Sequence, residues 1–132
     1  MKANSLLTHP VHLGPGASAQ IEPGYSAEMA WYEAYGARHA ADGAEGRLVS
    51  LFTYSEPWGM WEMHPNGDEV VFCVSGAMTL HQEAPDGSSA SVTLRPGDYA
   101  INLRGVWHTA DTDCETTALF ITPGEGTEHR PR

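Results

Sequence analysis

Basic residues are scarce in this sequence. Seven Lys and Arg stand against seventeen Asp and Glu, a formal net charge of −10 over 132 residues. Such a chain repels polyanions, so neither nucleic acid nor an anionic membrane surface is expected as a partner. Long apolar runs are also missing. The stretch from Met1 to Pro10 has no apolar core of signal-peptide type, and no run reaches the roughly 20 residues of a membrane-spanning helix. Cysteine is limited to Cys73 and Cys114, without CxxC spacing. Two reduced, buried thiols in a cytoplasmic protein are the expectation, rather than a disulfide. No Ser lies in a nucleophile-elbow pattern and neither Cys has an evident base partner, which argues against a catalytic triad.

What the chain does have is turn residues at short, even spacing between β-branched and aromatic runs. That pattern predicts an all-β sandwich or small barrel in one domain, long enough to bury a core. Two short strands, Val11–Leu13 and Ser18–Ile21, precede one helix over 26–41, with Ser26 as N-cap and Met29, Tyr32 and Tyr35 at helical spacing. Strands are then expected at Arg47–Tyr54, Met60–His64, Glu69–Val74, Ala77–Gln82, Ser91–Arg95, Tyr99–Leu103, Trp107–Asp111 and Glu115–Thr122. The polar tail 124–132 reads as a loose or docked extension.

Chemistry concentrates in Trp58 to Gly76. Asn66-Gly67 is a strong hairpin signal, because a type I′ turn needs positive φ at both central residues. With that turn, His64 stands opposite Glu69, and Glu62 shares their face two residues earlier. A carboxylate at the mouth of the apolar run Val70–Val74 is costly unless it is paired or bound to metal. By the same parity Met60, Val71, Cys73, Met78 and Leu80 line the interior, whereas Trp61, Met63 and Phe72 point out. Asp68 points away from Glu69 and reads as a turn residue, and His81 as a surface residue. His9, His12, His39 and His129 carry no spacing signal.

A second stretch, Pro96 to His108, gives a turn, a strand, a tight Gly turn and a histidine at the next strand. Together the two stretches resemble the cupin superfamily, over residues 47–122. Its first motif is matched by His64, a four-residue gap, Glu69, six residues and Gly76, and its second by Gly97, Gly105 and His108. Four departures stand out, one being that the glycine opening the first motif, Gly59, lies only three positions before Glu62. Glu62 takes the place of the usual first histidine, Leu103 that of a proline and Thr112 that of an asparagine. The resemblance implies an all-β, cupin-like double-stranded β-helix, or jelly-roll barrel, with one N-terminal helix. In it, 1–46 form strands and a helix packing on the barrel, 47–123 the barrel and 124–132 the tail.

The resemblance carries His64, Glu69 and His108 over as metal ligands, and Glu62 by position. Two imidazoles and a carboxylate with open positions suit non-haem Fe(II) and related ions. A second carboxylate hardens the set toward Mn or Fe, with Zn and Ni allowed, and neutralises a divalent ion, making it a weaker Lewis acid. One divalent ion (Fe, Mn, Ni or Zn) is therefore expected. Glu62 is open to two other roles, as a hydrogen-bond acceptor behind the ligands or a general base beside the metal. Tyr99, Asn102, Arg104 and Trp107 flank the second motif as candidate mouth residues. The resemblance further implies a homodimer. It also implies either a metal-dependent enzyme of dioxygenase, decarboxylase or isomerase type, acting on a small polar organic molecule, or a non-catalytic cupin module that binds a metal or small ligand. Fold alone does not choose between these.

Overall fold

The computed structural model describes residues 1–132. In chain order the elements are β1 (Val11–Gly14), β2 (Ser18–Ile21), α1 (Met29–Arg38), β3 (Arg47–Tyr54), β4 (Met60–Met63), β5 (Glu69–Ser75), β6 (Met78–Glu83), β7 (Ser89–Leu94), β8 (Tyr99–Asn102), β9 (Trp107–Asp111), β10 (Thr116–Pro123) and β11 (Glu128–Pro131). The strands form two antiparallel sheets, ordered β2-β1-β3-β10-β5-β8 and β11-β4-β9-β6-β7. This is the expected all-β jelly-roll with one main helix, and ten of its eleven strands follow the alternating pattern closely; β11 falls in the stretch expected as a polar tail. No helix is long and apolar enough to cross a membrane.

The core lies between the sheets. Val71 and Cys73 of β5, Met78 and Leu80 of β6, Leu94 of β7, Ala110 of β9, and Ala118 and Phe120 of β10 form one buried cluster. Period-two alternation is the cause: each of these strands turns every second side chain inward. The interior parity of Val71, Cys73, Met78 and Leu80 is therefore as the sequence pattern has it. Met60 is a correction, since it is 40% exposed. It lies at the outer end of β4, where only Pro131 of β11 stands beside it in register. Cys114 is likewise exposed, and both cysteines are free.

Helix α1 differs from its prediction in start and face. Its N-cap position is Glu28 with no side-chain cap, and its buried residues are Trp31 and Tyr35. These are four apart and pack with Leu48. Met29 and Tyr32 stay exposed. Helical periodicity was present twice in this aromatic segment, and packing on β3 selected the Trp31/Tyr35 stripe.

The predicted hairpin at Asn66-Gly67 is absent. Strands β4 and β5 lie in different sheets, and neither Asn66 nor Gly67 has positive φ. The segment 65–68 is a corner that carries the chain from one sheet to the other. Glu69 instead pairs with Asn102 of β8, and Glu62 with His108 of β9. Asp68 accepts the backbone N–H of Arg104 at 2.8 Å, bracing the loop before β9.

Residues 128–131 form β11, in register with β4: Glu128 beside Met63, His129 beside Glu62, Arg130 beside Trp61. The Arg130 guanidinium lies 5.1 Å from the Trp61 ring and 4.5 Å from Trp107. Those outward aromatics are thus covered by this chain's own arginine.

Candidate metal centre

The corner at 65–68 brings together what the two sheets hold apart. Glu62 sits on β4, His64 just beyond it, Glu69 at the start of β5 and His108 on β9. One potential ligand atom from each lies within 4.8 Å of the others. His64 and Glu69 therefore do meet, across the barrel rather than across a hairpin. His64, Glu69 and His108 are buried, at 2%, 2% and 0% exposure. The Glu62 side chain is one-third exposed, at 33%, and marks the side facing solvent.

His64 Nε2 is 3.3 Å from Glu69 Oε2, and His108 Nε2 is 3.2 Å from Glu69 Oε1. Close as these are, both Nε2 atoms are buried without a hydrogen-bond partner. The other nitrogens are engaged. His108 Nδ1–H donates to Val106 O at 3.3 Å, and His64 Nδ1 pairs with Thr127 Oγ1 at 2.9 Å. The Val106 carbonyl can only accept, so the His108 proton sits on Nδ1 and its Nε2 lone pair is aimed at the cluster; the Thr127 hydroxyl accommodates the same ligating tautomer in His64. Orphaned buried acceptors are rare because their desolvation is uncompensated. The donor set (two imidazole nitrogens and two carboxylates) fits a divalent ion.

Glu69 is the best-anchored member. Asn102 Nδ2 donates to Oε1 at 3.0 Å and Thr122 Oγ1 to Oε2 at 2.7 Å. Gln82 Nε2 donates to Asn102 Oδ1 at 2.7 Å and so fixes that amide. Burial pushes the Glu69 carboxyl up, but the adjoining His108 and His64 imidazoles outweigh it and hold the group well below the usual carboxylate range. Burial pushes His108 down, and the attraction of Glu69 and then Glu62 carries it above the ordinary imidazole value.

Of the residues flanking the second motif, only Asn102 joins the site. Tyr99 is 64% exposed. Arg104 pairs with Asp68 at 3.6 Å, and Trp107 lies under Arg130. His81 is half-buried against Asp111 and Ser91, on the outer side of β6. Thr122 was legible in principle from the inward parity of β10. Thr127 and His129 were not, because nothing in their spacing reveals that β11 pairs with β4.

A second cluster, His12, His39 and Asp42, borders a cleft of about 260 Å³ between the helical segment and the 124–126 turn. Its geometry is different. His12 bonds Tyr35 Oη through Nδ1 and Asp42 Oδ2 through Nε2, each at 2.7 Å. His39 Nε2 bonds the buried Glu22 at 2.7 Å. The two rings stack at 3.5 Å with an interplanar angle of 11°, so their in-plane lone pairs run parallel instead of converging. The cluster ties β1 to the end of α1 and to the short helical turn 40–45 that follows it, and its nitrogens are largely spent on that task.

No protein-family model matches the chain, and no curated protein matches it. Solved structures do. Oxalate decarboxylase from Bacillus subtilis, described for its Mn(II) centres, aligns at 20% identity and a TM-score of 0.55, over 73% of this chain and 26% of that one. Hydroquinone 1,2-dioxygenase from Sphingomonas sp. TTNP3, with 4-hydroxybenzoate bound, aligns at 15% identity and a TM-score of 0.50, over 58% and 59%. The hydroquinone 1,2-dioxygenase PnpCD, in complex with Cd2+ and 4-hydroxybenzonitrile, gives 13% and 0.52, over 58% and 57%. The chain thus spans less than two thirds of the length of each of these.

Proposed function

The chain has the cupin fold, and on that premise we propose that it is a metal-binding protein holding one divalent ion on Glu62, His64, Glu69 and His108. The observation that carries this is the pair of buried Nε2 atoms, unpartnered and converging with two carboxylates. Fe, Mn, Ni and Zn all suit the donors, and the second carboxylate favours the harder Mn and Fe. His64 and His108 present Nε2 because Thr127 and Val106 occupy their Nδ1 atoms. Asn102 and Thr122 orient the Glu69 carboxylate. Bound there, a divalent ion supplies polarisation of a substrate oxygen or activation of water or O₂. Because Glu62 closes the solvent-facing side, substrate approaches past it. We propose on this basis an enzyme of the dioxygenase, decarboxylase or isomerase type, acting on a small polar organic molecule.

The second reading is a non-catalytic module that holds a metal or small ligand. It is favoured by the positions of two clefts of about 260 and 270 Å³, neither of which is lined by the four cluster residues. Elemental analysis of untagged protein tests the shared claim. Near one equivalent of Fe, Mn, Ni or Zn is expected, and none in the His64→Ala/His108→Ala double variant. Metal-free wild type whose thermal stability ignores each added ion refutes it. O₂ consumption with candidate substrates separates enzyme from module.

Two further elements belong to the same proposal. Free cysteines suit a reducing, cytoplasmic compartment. A homodimer would cover the outward side of β5 and β8, where Val74, Tyr99 and Ile101 are 43%, 64% and 47% exposed. Sedimentation at micromolar concentration should return twice the 14.3 kDa chain mass, and a Tyr99→Asp/Ile101→Asp variant the single mass. A wild-type chain sedimenting as a monomer contradicts the dimer.

A further inference from the structure

Two of the four expected ligands are held by one short stretch near the end of the sequence. Thr127 Oγ1 is 2.9 Å from His64 Nδ1, and His129 Nε2 is 3.2 Å from Glu62 Oε1. With its Nε2 given to an ion, His64 would carry its proton on Nδ1 and donate it to Thr127. The His129 Nε2–H donates to Glu62 Oε1, which leaves Oε2, 3.8 Å from His108 Nε2, as the oxygen turned to the centre. Both contacts come from outside the barrel strands that carry the ligands.

The stretch is firmly docked by groups that do not touch the centre. Arg130 pairs with Glu83 at 2.9 Å and covers Trp61 and Trp107. Arg132 pairs with Asp111 at 2.8 Å and donates to Trp58 O at 2.8 Å. The turn that delivers Thr127 needs glycine: Gly126 has φ +76°, and a Cβ there would fall 2.9 Å from Asn66 Nδ2. Asn66 in turn donates to Glu125 O at 3.3 Å, joining this turn to the corner that follows His64.

We propose that β11 and the turn before it form a clasp on the metal centre. Thr127 and His129 are positioning residues for His64 and Glu62, so that metal retention and docking of β11 are one coupled equilibrium. The proposal rests on the metal reading above. Partners of ligand side chains at this remove are generally worth 10- to 100-fold in metal affinity. Coupling is also reciprocal, so an ion that is held more tightly when β11 is docked must itself favour the docked strand.

The test uses full-length protein with Mn2+ as the probe. Affinity is read by chelator competition, the ion's surroundings by electron paramagnetic resonance, and docking by amide hydrogen exchange over 126–131. His129→Ala and Thr127→Val should each weaken Mn2+ roughly 10- to 100-fold and alter the spectrum, while His129→Gln, which keeps an N–H donor, restores most of the affinity. In wild type, Mn2+ should slow exchange across 126–131, and it should not do so in His64→Ala/His108→Ala. Wild-type affinity and spectrum in both His129→Ala and Thr127→Val would overturn the clasp while leaving the metal reading intact. Equal loss in His129→Gln and His129→Ala would overturn positioning in favour of direct ligation by His129. A wild-type chain that takes no ion removes the metal reading and the clasp together.

Discussion

Glu69→Gln should lower metal affinity by more than about 100-fold, beyond what loss of a supporting partner costs. It should also make the stability of the metal-free protein far less sensitive to pH. The sign follows from two opposed shifts. Glu69 is held below its ordinary value by His108 and His64 against the effect of burial. Its contribution is present above the unfolded carboxylate value of about 4.3 and is lost as pH falls below it. His108 is raised by Glu69 and Glu62 against the effect of burial. Its contribution is present below the unfolded imidazole value of about 6.5 and is lost as pH rises through its folded value. Both are at full strength between roughly pH 4.5 and 6.5, and each fades outside that window. The metal-free wild type should therefore be most stable there. In that window Glu69→Gln leaves a buried imidazolium without its counter-charge, at a cost of about 3 kcal/mol, and the cost shrinks by pH 8.5. Added metal works in the opposite direction, because ligation needs neutral imidazoles. Urea unfolding of chelator-treated protein at pH 5.5 and 8.5 measures this. An equal loss at both values contradicts it.

Gly76→Ala should be the most damaging single methyl in the chain. Gly76 has φ +78°, and a Cβ there would lie 2.3 Å from the Glu115 carbonyl oxygen and 2.8 Å from Thr116 Cα. These are backbone atoms of the segment entering β10, so no rotamer can relieve the clash. The turn is also bound from both sides. Thr116 Oγ1 donates to Ala77 O at 2.9 Å, and Thr112 Oγ1 to the same oxygen at 2.7 Å. Left-handed strain alone costs a non-glycine residue 1–3 kcal/mol, and overpacking adds a similar amount, so a loss above about 3 kcal/mol is expected. Gly87→Ala is the control. Gly87 has φ +85° but nothing within 4 Å of its Cβ, so strain acts alone and the loss should stay near 1 kcal/mol. Chemical denaturation of both variants, with far-UV circular dichroism to follow unfolding, decides it. Equal losses would mean that the close approach carries no energetic weight.

The departures from pattern share a cause. Asn66-Gly67 is a hairpin signal when the strands on either side pair with each other. Here β4 turns to β9 and β11 while β5 turns to β10 and β8. The same two residues become a corner, and no local propensity distinguishes the two uses. In α1, aromatic residues offered more than one stripe, and contact with Leu48 chose Trp31 and Tyr35.

By itself, the sequence determined the positions of ten of the eleven strands and the inward parity of Val71, Cys73, Met78 and Leu80. Those are consequences of local periodicity and turn chemistry, which act over a few residues. The grouping of His64, Glu69 and His108 came from the resemblance of two spaced stretches to the cupin motifs. Tertiary structure alone decided that His64 and Glu69 meet across a barrel, that Asn102 and Thr122 anchor Glu69, and that Thr127 and His129 reach back to His64 and Glu62. His64 and Glu69 are near in sequence but sit at the ends of strands in different sheets, and the other contacts join residues from 33 to 67 positions apart. They exist because burying one face of each sheet against the other fixes which strands become neighbours, and that choice is made by the whole core at once.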